Sequence, residues 1–170
     1  MVARIHTVAF SGIDTIPVEV QVSITSSTLH SFTIVGLPDK AIAESRERIR
    51  AALTAIGLAL PMERITLNLA PADILKEGSH YDLPIALGLI AAMRVVPPEE
   101  VDNFVALGEL SLDGSACRVS GVLPAAIQAA ATDKGIICPR DNGSEACWAG
   151  DDINILATDS LLSLIEVSTI

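Results

Sequence analysis

Residues 64–95, which decide the fold, read RITLNLAPADILKEGSHYDLPIALGLIAAMRV. In the first part, residues 64–69, polar and apolar side chains alternate, as in a strand with one buried face. A polar loop follows, and from Asp82 to about Val95 the sequence is almost wholly apolar. Because a helix that is apolar on all sides is normally buried, this stretch predicts a strand, a loop and a central helix. Asp82 is predicted to be the N-cap of that helix.

Upstream of this stretch, the period of the apolar residues predicts three more strands and one helix. Residues 18–25 alternate strictly between apolar and polar side chains, and segments 2–10 and 32–35 are shorter or weaker strand candidates. Residues 39–56 carry apolar side chains at helical spacing, and Asp39 is predicted to cap the helix.

Downstream, Asp113-Gly114 predicts a β-hairpin with a two-residue type I′ turn. Counting outward from this turn pairs Leu110 with Cys117 and Glu109 with Arg118. This register places Cys117 in the core and Arg118 in solvent. The side chains expected on the buried face are Leu110, Leu112, Cys117 and Val119.

The remaining segments alternate between helix and strand. The predicted elements are a helix at 121–132, a strand at 136–138, one or two helical turns at 144–148, a strand at 153–157, and a final helix through 165 capped by Asp159. Trp148 is interpreted as a packing residue near a helix end. The sum predicts a single domain over residues 1–170, of α+β class, with helices packed on a mixed sheet.

Composition excludes several classes of protein. Half of the 170 residues are hydrophobic and 19% are charged, which excludes intrinsic disorder. The longest apolar run, residues 83–93, is too short to span a membrane, and no signal peptide opens the chain, so we expect a cytoplasmic protein without membrane contact. The net charge of −10 disfavours attraction to nucleic acid over the whole surface.

Motifs for common cofactors and metals are absent from the sequence. No glycine is followed by lysine, so the chain has no phosphate-binding P-loop. The three histidines are scattered and no C-x-x-C occurs, which disfavours a zinc site and favours reduced thiols. We therefore expect no catalytic residue, cofactor or metal ligand within this chain.

Several motifs in a fixed order carry a resemblance to a known family. They are FTIVGLP at 32–38, ESRER at 44–48, NLAPAD at 68–73, KEG at 76–78, YDLPIA at 81–86, GELSLDG at 108–114 and RVSGVLPA at 118–125. With these motifs the chain resembles, over residues 4–131, the N-terminal domain of the Mg-chelatase-like AAA+ ATPases of the ComM/YifB group.

This resemblance implies an α+β fold like the second domain of a small-subunit ribosomal protein and the proteolytic domain of Lon. The implied sheet has four or more strands, with helices on one side. Family members carry an AAA+ motor, which binds ATP and Mg²⁺, and form hexamers, and the ComM branch is associated with DNA branch migration during natural transformation. The implied partners are the protein's own motor, neighbouring subunits and, through the full-length protein, DNA.

The sequence reaches Ile170 before any motor, so we expect an excised domain rather than a truncated gene. The predicted role is a non-catalytic accessory domain, and a nucleic-acid-binding module is the first alternative. A Lon-like peptidase is the second, but the Lon pattern places His80 at the serine position and Leu123 at the lysine position. A one-residue slip would bring in Ser79, whereas no slip supplies the base, because the lysines are Lys40, Lys76 and Lys134.

Two groups of residues are candidates for a functional role. Arg46, Arg48 and Arg50 form the only basic cluster, which is either a contact surface for DNA or the motor, or a solvated face with a Glu44–Arg48 pair.

The second group is the family-motif loop, represented by Asn68, Lys76, Glu77 and Asp82. Asn68 is expected to tie down this loop through its amide. Asp82 either caps its helix or presents a carboxylate beside Lys76 and Glu77.

Overall fold

Nine strands and six helices are present in the computed structural model, which describes residues 2–168. The strands are β1 (Val2–Ser11), β2 (Asp14–Thr25), β3 (Ser31–Val35), β4 (Arg64–Ala70), β5 (Phe104–Ala106), β6 (Glu109–Leu110), β7 (Ala116–Cys117), β8 (Gly135–Pro139) and β9 (Ile155–Thr158). The helices are α1 (Asp39–Ala55), α2 (Asp82–Ala92), α3 (Pro98–Val101), α4 (Val122–Ala131), α5 (Gly143–Ala146) and α6 (Leu161–Ser168). Single 3₁₀ turns at Arg140–Asn142 and Cys147–Ala149 flank α5.

The main sheet has seven strands in the order β3-β4-β2-β1-β5-β8-β9, and β6 pairs with β7 in a separate hairpin. Strand β2 runs antiparallel to both its neighbours, whereas the other adjacent pairs are parallel. This mixed sheet confirms the predicted α+β class.

Helix α2 lies at the centre of the larger apolar core, as the all-apolar sequence predicts. Its residues from Asp82 to Ala91 are all buried, and it packs against β1 and β2. The approach is close, since a Cβ on Gly88 would lie 2.6 Å from Cγ2 of Val22. Among residues 2–168, no helix is both long and apolar enough to cross a membrane.

Helices cover both faces of the sheet, which corrects the one-sided arrangement implied by the resemblance. Helices α1 and α2 lie on one face, while α4 and α5 pack on the other against β5 and β8. The second core contains Val105, Ala126 and Ile136. The second face is covered because α4 connects β5 to β8 and lies on the face opposite α2.

All three predicted aspartate N-caps are wrong. Asp39 and Asp82 are the first residues of their helices, and neither helix has a side-chain cap hydrogen bond. At α6 the capping atom is Oγ of Ser160, which accepts from the backbone N of Ser163 at 3.1 Å. Asp159 instead forms an ion pair with a neighbouring arginine.

The predicted hairpin exists, but its register is shifted by one residue. Glu109 pairs with Cys117, and Ser111 N donates to Ser115 O at 2.9 Å, so the loop has three residues. Asp113 accepts from Ser115 N at 3.0 Å, and Gly114 has φ of +89°. An aspartate turn followed by a left-handed glycine is a usual three-residue hairpin loop.

This shift changes which side chains the hairpin buries. Leu110 is buried as predicted, whereas Leu112 is 63% exposed. Cys117 is half-buried, with its Sγ 2.8 Å from Oγ of Ser111. Arg118 is exposed as predicted, but it donates to the backbone oxygen of Asp141 instead of pairing with Glu109.

Trp148 does not pack in the core, contrary to the prediction. It lies in the 3₁₀ turn after α5 and is 82% exposed. The turn is anchored by its neighbours, since Ala146 is fully buried and Ala149 packs against the second core. The indole is therefore presented to solvent by a well-packed turn.

Candidate functional site

Asp82 is the centre of a buried polar contact that joins α1, α2 and β6. Its carboxylate, 1% exposed, accepts from Oγ of Ser45 at 2.7 Å and from the backbone N of Leu110 at 3.2 Å. Arg48 donates to both carboxylate oxygens, through Nε at 2.6 Å and Nη2 at 3.1 Å. The residue predicted to cap its own helix therefore bonds to two other elements.

The electrostatics of this pair follow from its burial. Burial raises the pKa of the Asp82 carboxyl group, and the hydrogen bonds from Arg48 and Ser45 act in the opposite direction. The hydrogen bond to Asp82 raises the pKa of Arg48, whose side chain is 24% exposed and also lies 4.0 Å from Glu44. Breaking one side of such a pair leaves an uncompensated charge, which typically costs about 3–5 kcal/mol.

Lys76 is buried, although lysine is usually exposed. It is 1% exposed, and its Nζ donates to the backbone oxygens of Pro71 at 2.6 Å and Ile74 at 3.2 Å. Burial lowers the pKa of Lys76, against an opposing effect of the Asp73 charge. The ammonium group thus ties together the loop that precedes α2.

His80 connects the same loop to β1. Its Nε2 lies 2.8 Å from the backbone oxygen of Val8, and because a carbonyl only accepts, this nitrogen carries the proton. The ring packs against Phe10 and Tyr81, with centroid distances of 5.2 and 4.0 Å. Burial lowers the pKa of His80, so the neutral form is favoured.

A cleft of about 400 Å³ lies between α1 and the family-motif loop. Its polar lining includes Glu44, Arg48, Lys76, Ser79 and Asp82. Tyr81 also lines it, and its buried hydroxyl has no hydrogen-bond partner among residues 2–168. Burial raises the pKa of Tyr81, so this hydroxyl remains protonated.

The predicted loop residues are only partly brought together. Lys76, Glu77 and Asp82 line the same cleft, as expected from their proximity in sequence. Asn68 does not tie down the loop; its Nδ2 donates to Oε1 of Gln21 on the neighbouring strand at 3.1 Å. The reason is the sheet register, which places Gln21 directly opposite Asn68.

The predicted arginine cluster divides into two parts. Arg46 and Arg50 lie over the ring of Phe32, at 5.9 and 5.6 Å from its centroid. Arg48 instead turns towards Asp82. Residues two positions apart in a helix point in nearly opposite directions, so the three side chains do not form one surface.

The positions that correspond to the Lon dyad do not assemble a nucleophile and a base. Leu123 is half-buried in the first turn of α4, and His80 is held on Val8. Ser79 lines the same cleft as Lys76, but the Lys76 ammonium donates to two backbone oxygens of its own loop. Within residues 2–168, no group of three or more His, Cys, Asp or Glu side chains is placed to hold a metal ion.

Two residues of the site were missed by the sequence reasoning. Ser45 was noted only as part of a charged motif, yet it is buried and donates to Asp82. The available signal is that Ser45 lies four residues before Ile49 on the apolar face of α1. The sequence places Tyr81 at the end of a polar loop and at the start of the YDLPIA motif, and no local pattern predicts that its hydroxyl is buried.

Comparison with known proteins finds similar sequences over most of the chain. The family model described as subunit ChlI of Mg-chelatase matches residues 18–142. The uncharacterized protein YifB of Escherichia coli is 40% identical over 141 residues, or 83% of this chain, and an uncharacterized protein of Mycobacterium tuberculosis is 44% identical over 144 residues, or 84%. The competence protein ComM of Haemophilus influenzae is 35% identical over 164 residues, which is 96% of this chain.

The chain therefore belongs to the Mg-chelatase-like family that includes YifB and ComM, as its motifs predict. It spans 28% of the length of the E. coli and M. tuberculosis relatives and 32% of the H. influenzae protein.

Proposed function

We propose that this chain is a non-catalytic accessory and assembly domain of a ComM-type AAA+ ATPase. The observation that supports this role is that the ionisable side chains in and beside the family-motif loop are hydrogen-bonded to other parts of the fold. Asp82 binds Arg48, Lys76 binds backbone oxygens, and His80 binds Val8. Groups held in this way fix the relative position of α1, α2 and β1, and this suits a rigid platform for a motor.

In this proposal ATP and Mg²⁺ act at a motor elsewhere in the full-length protein. We propose further that the parent acts on DNA during natural transformation, as the family resemblance implies, and the similarity to a protein named as a competence protein supports the link to transformation. The chain itself contacts DNA weakly, since its net charge is −10 and only Arg46 and Arg50 of the predicted cluster remain free of described carboxylates.

Turnover assays test the non-catalytic role directly. We expect the purified chain to release no phosphate from ATP and to leave an unfolded protein substrate intact. Cleavage that is lost in Ser79→Ala but kept in the matched variant Ser144→Ala, with both variants folded, would overturn the proposal. ATP hydrolysis by the purified chain at a rate above that of a blank without protein would overturn it as well.

A salt titration tests the DNA part of the proposal. Each phosphate contact contributes a slope of about −0.9 in a plot of log affinity against log salt. Two arginines therefore predict a slope no steeper than about −1.8. Tight binding that is unchanged in Arg46→Ala/Arg50→Ala would place a DNA site elsewhere in the chain and contradict this assignment.

A further inference from the structure

Two groups of residues of opposite charge lie at opposite ends of the main sheet. The arginine surface consists of Arg46 and Arg50 of α1 over Phe32 of the first sheet strand, β3. The tryptophan surface consists of Trp148 with Asp133, Asp151 and Asp152. These residues lie in turns before β8 and β9, the last two strands of the sheet.

The two arginines of this surface are not neutralised by a salt bridge within the described part of the chain. Among residues 2–168, neither Arg46 nor Arg50 forms an ion pair. Arg50 is exposed, whereas Arg46 is half-buried and its Nε, which has no hydrogen-bond acceptor among these residues, is shielded from solvent. Both guanidinium groups lie on the same side of α1, because they are four residues apart. Their planar donors suit carboxylates and aromatic faces.

The tryptophan surface offers those partners. Trp148 is 82% exposed, and the two residues after it line a cleft of about 460 Å³ together with the three aspartates. The aspartates are exposed and form no ion pair with a described residue. The one cation of the cleft lining, Lys134, donates to the backbone oxygen of Asp102 at 2.9 Å.

We infer that the tryptophan surface of one copy of this chain binds the arginine surface of the next copy. An arginine can stack on the indole of Trp148 while Asp151 and Asp152 accept its hydrogen bonds. Tryptophan and arginine are the residue types most enriched among strong contributors to protein interfaces. The inference rests on the proposed assembly role and names the surfaces that carry it.

Charge and geometry together favour a head-to-tail contact over the other partners. A two-fold contact between identical surfaces would oppose arginine to arginine or aspartate to aspartate, which is repulsive. DNA does not suit the tryptophan surface, because its phosphates are repelled by the three aspartates. The two surfaces are separated by the width of seven strands, about 29 Å at the usual spacing, so each copy can contact two neighbours. A head-to-tail contact of this kind closes into a ring when the rotation permits.

Complementary charge reversal tests this contact. Arg46→Glu/Arg50→Glu makes both surfaces acidic, and Asp151→Lys/Asp152→Lys makes both basic. Each variant alone should lose about tenfold or more in association, whereas an equimolar mixture should recover it, because every acidic surface then meets a basic one. The control Lys40→Glu/Arg64→Glu has the same net charge as the first variant and should associate like the wild type.

Trp148 provides the readout, because it is the only tryptophan of the chain. Its emission should shift to shorter wavelength as the chain concentration rises, together with an increase in sedimentation coefficient. Circular dichroism checks that each variant is folded. If Arg46→Glu/Arg50→Glu does not fold, the loss of association in Asp151→Lys/Asp152→Lys still tests the contact. No association of the wild type at its highest soluble concentration, or no recovery in the mixture, overturns the inference. Because the readout is association rather than turnover, that result would leave the non-catalytic role standing.

Discussion

Arg48 of α1 and Asp82 of α2 join the two helices through a bidentate contact, with Nε of Arg48 2.6 Å from Oδ2 of Asp82 and Nη2 3.1 Å from Oδ1. The two partners are not equally buried: the Asp82 side chain is 1% exposed and that of Arg48 is 24% exposed. Replacing Arg48 and replacing Asp82 should therefore lower the free energy of unfolding by different amounts.

The first prediction concerns this difference in burial. Arg48→Met should lower the free energy of unfolding by about 3–5 kcal/mol, because it leaves a buried carboxylate without its cation. Asp82→Asn should cost less, about 2 kcal/mol, because the remaining guanidinium can reach water. Urea denaturation measures both values. The control Arg50→Met, on the same helix but without an ion pair, should cost under about 1 kcal/mol. Equal losses for Arg48→Met and Asp82→Asn would show that burial of Asp82 does not govern the pair.

The second prediction concerns pH. Burial lowers the pKa of His80, so below about pH 6.5 the unfolded chain binds a proton at this residue that the folded chain does not. The free energy of unfolding should therefore fall as pH decreases from about 6.5, by at most about 1.4 kcal/mol per pH unit from this group. His80→Gln, which cannot titrate but can still donate to Val8, should remove this part of the slope. The exposed control His30→Gln should retain it. A slope in His80→Gln that is equal to that of the wild type, or steeper, would contradict the assignment.

The third prediction separates crowding from backbone strain at two glycines. Gly36 and Gly57 both have positive φ, at +103° and +84°. A Cβ on Gly36 would lie 2.6 Å from the backbone oxygen of Leu69, whereas nothing lies within 4 Å at Gly57. Gly57→Ala should cost about 1 kcal/mol from strain alone. Gly36→Ala should cost a further 1–3 kcal/mol or so, because the backbone of β4 has to move. Equal melting temperatures for the two variants would argue against this close approach.

The fourth prediction tests the hairpin register. Leu110→Ala should lower the free energy of unfolding by about 2–5 kcal/mol, because Leu110 is buried. Leu112→Ala should change it by less than about 0.5 kcal/mol, because Leu112 is 63% exposed. A two-residue turn would bury both leucines. Thermal denaturation of the two variants measures the difference. If both lose a comparable amount of stability, the two-residue turn predicted from Asp113-Gly114 is supported instead.

Local patterns in the sequence were sufficient to predict most of the elements. Ile65, Leu67 and Leu69 alternate with polar residues, and all three are buried in β4 as predicted. The apolar run after Asp82 is a central buried helix. These features are set by the period of a single segment, which needs no knowledge of its neighbours. The order of the family motifs likewise predicted the family.

The tertiary structure alone determined the partners of the polar side chains. Asp82 bonds to residues 34 and 37 positions earlier in the chain, and Asn68 bonds to a residue 47 positions earlier. Local pattern reasoning assigned both residues to nearby groups, a helix cap and a loop. The exposure of Trp148 and the separation of Arg48 from Arg46 and Arg50 also follow from how the helices pack. Hydrogen bonds across such separations depend on which elements become neighbours in the fold, and the period of one segment carries no information about that choice.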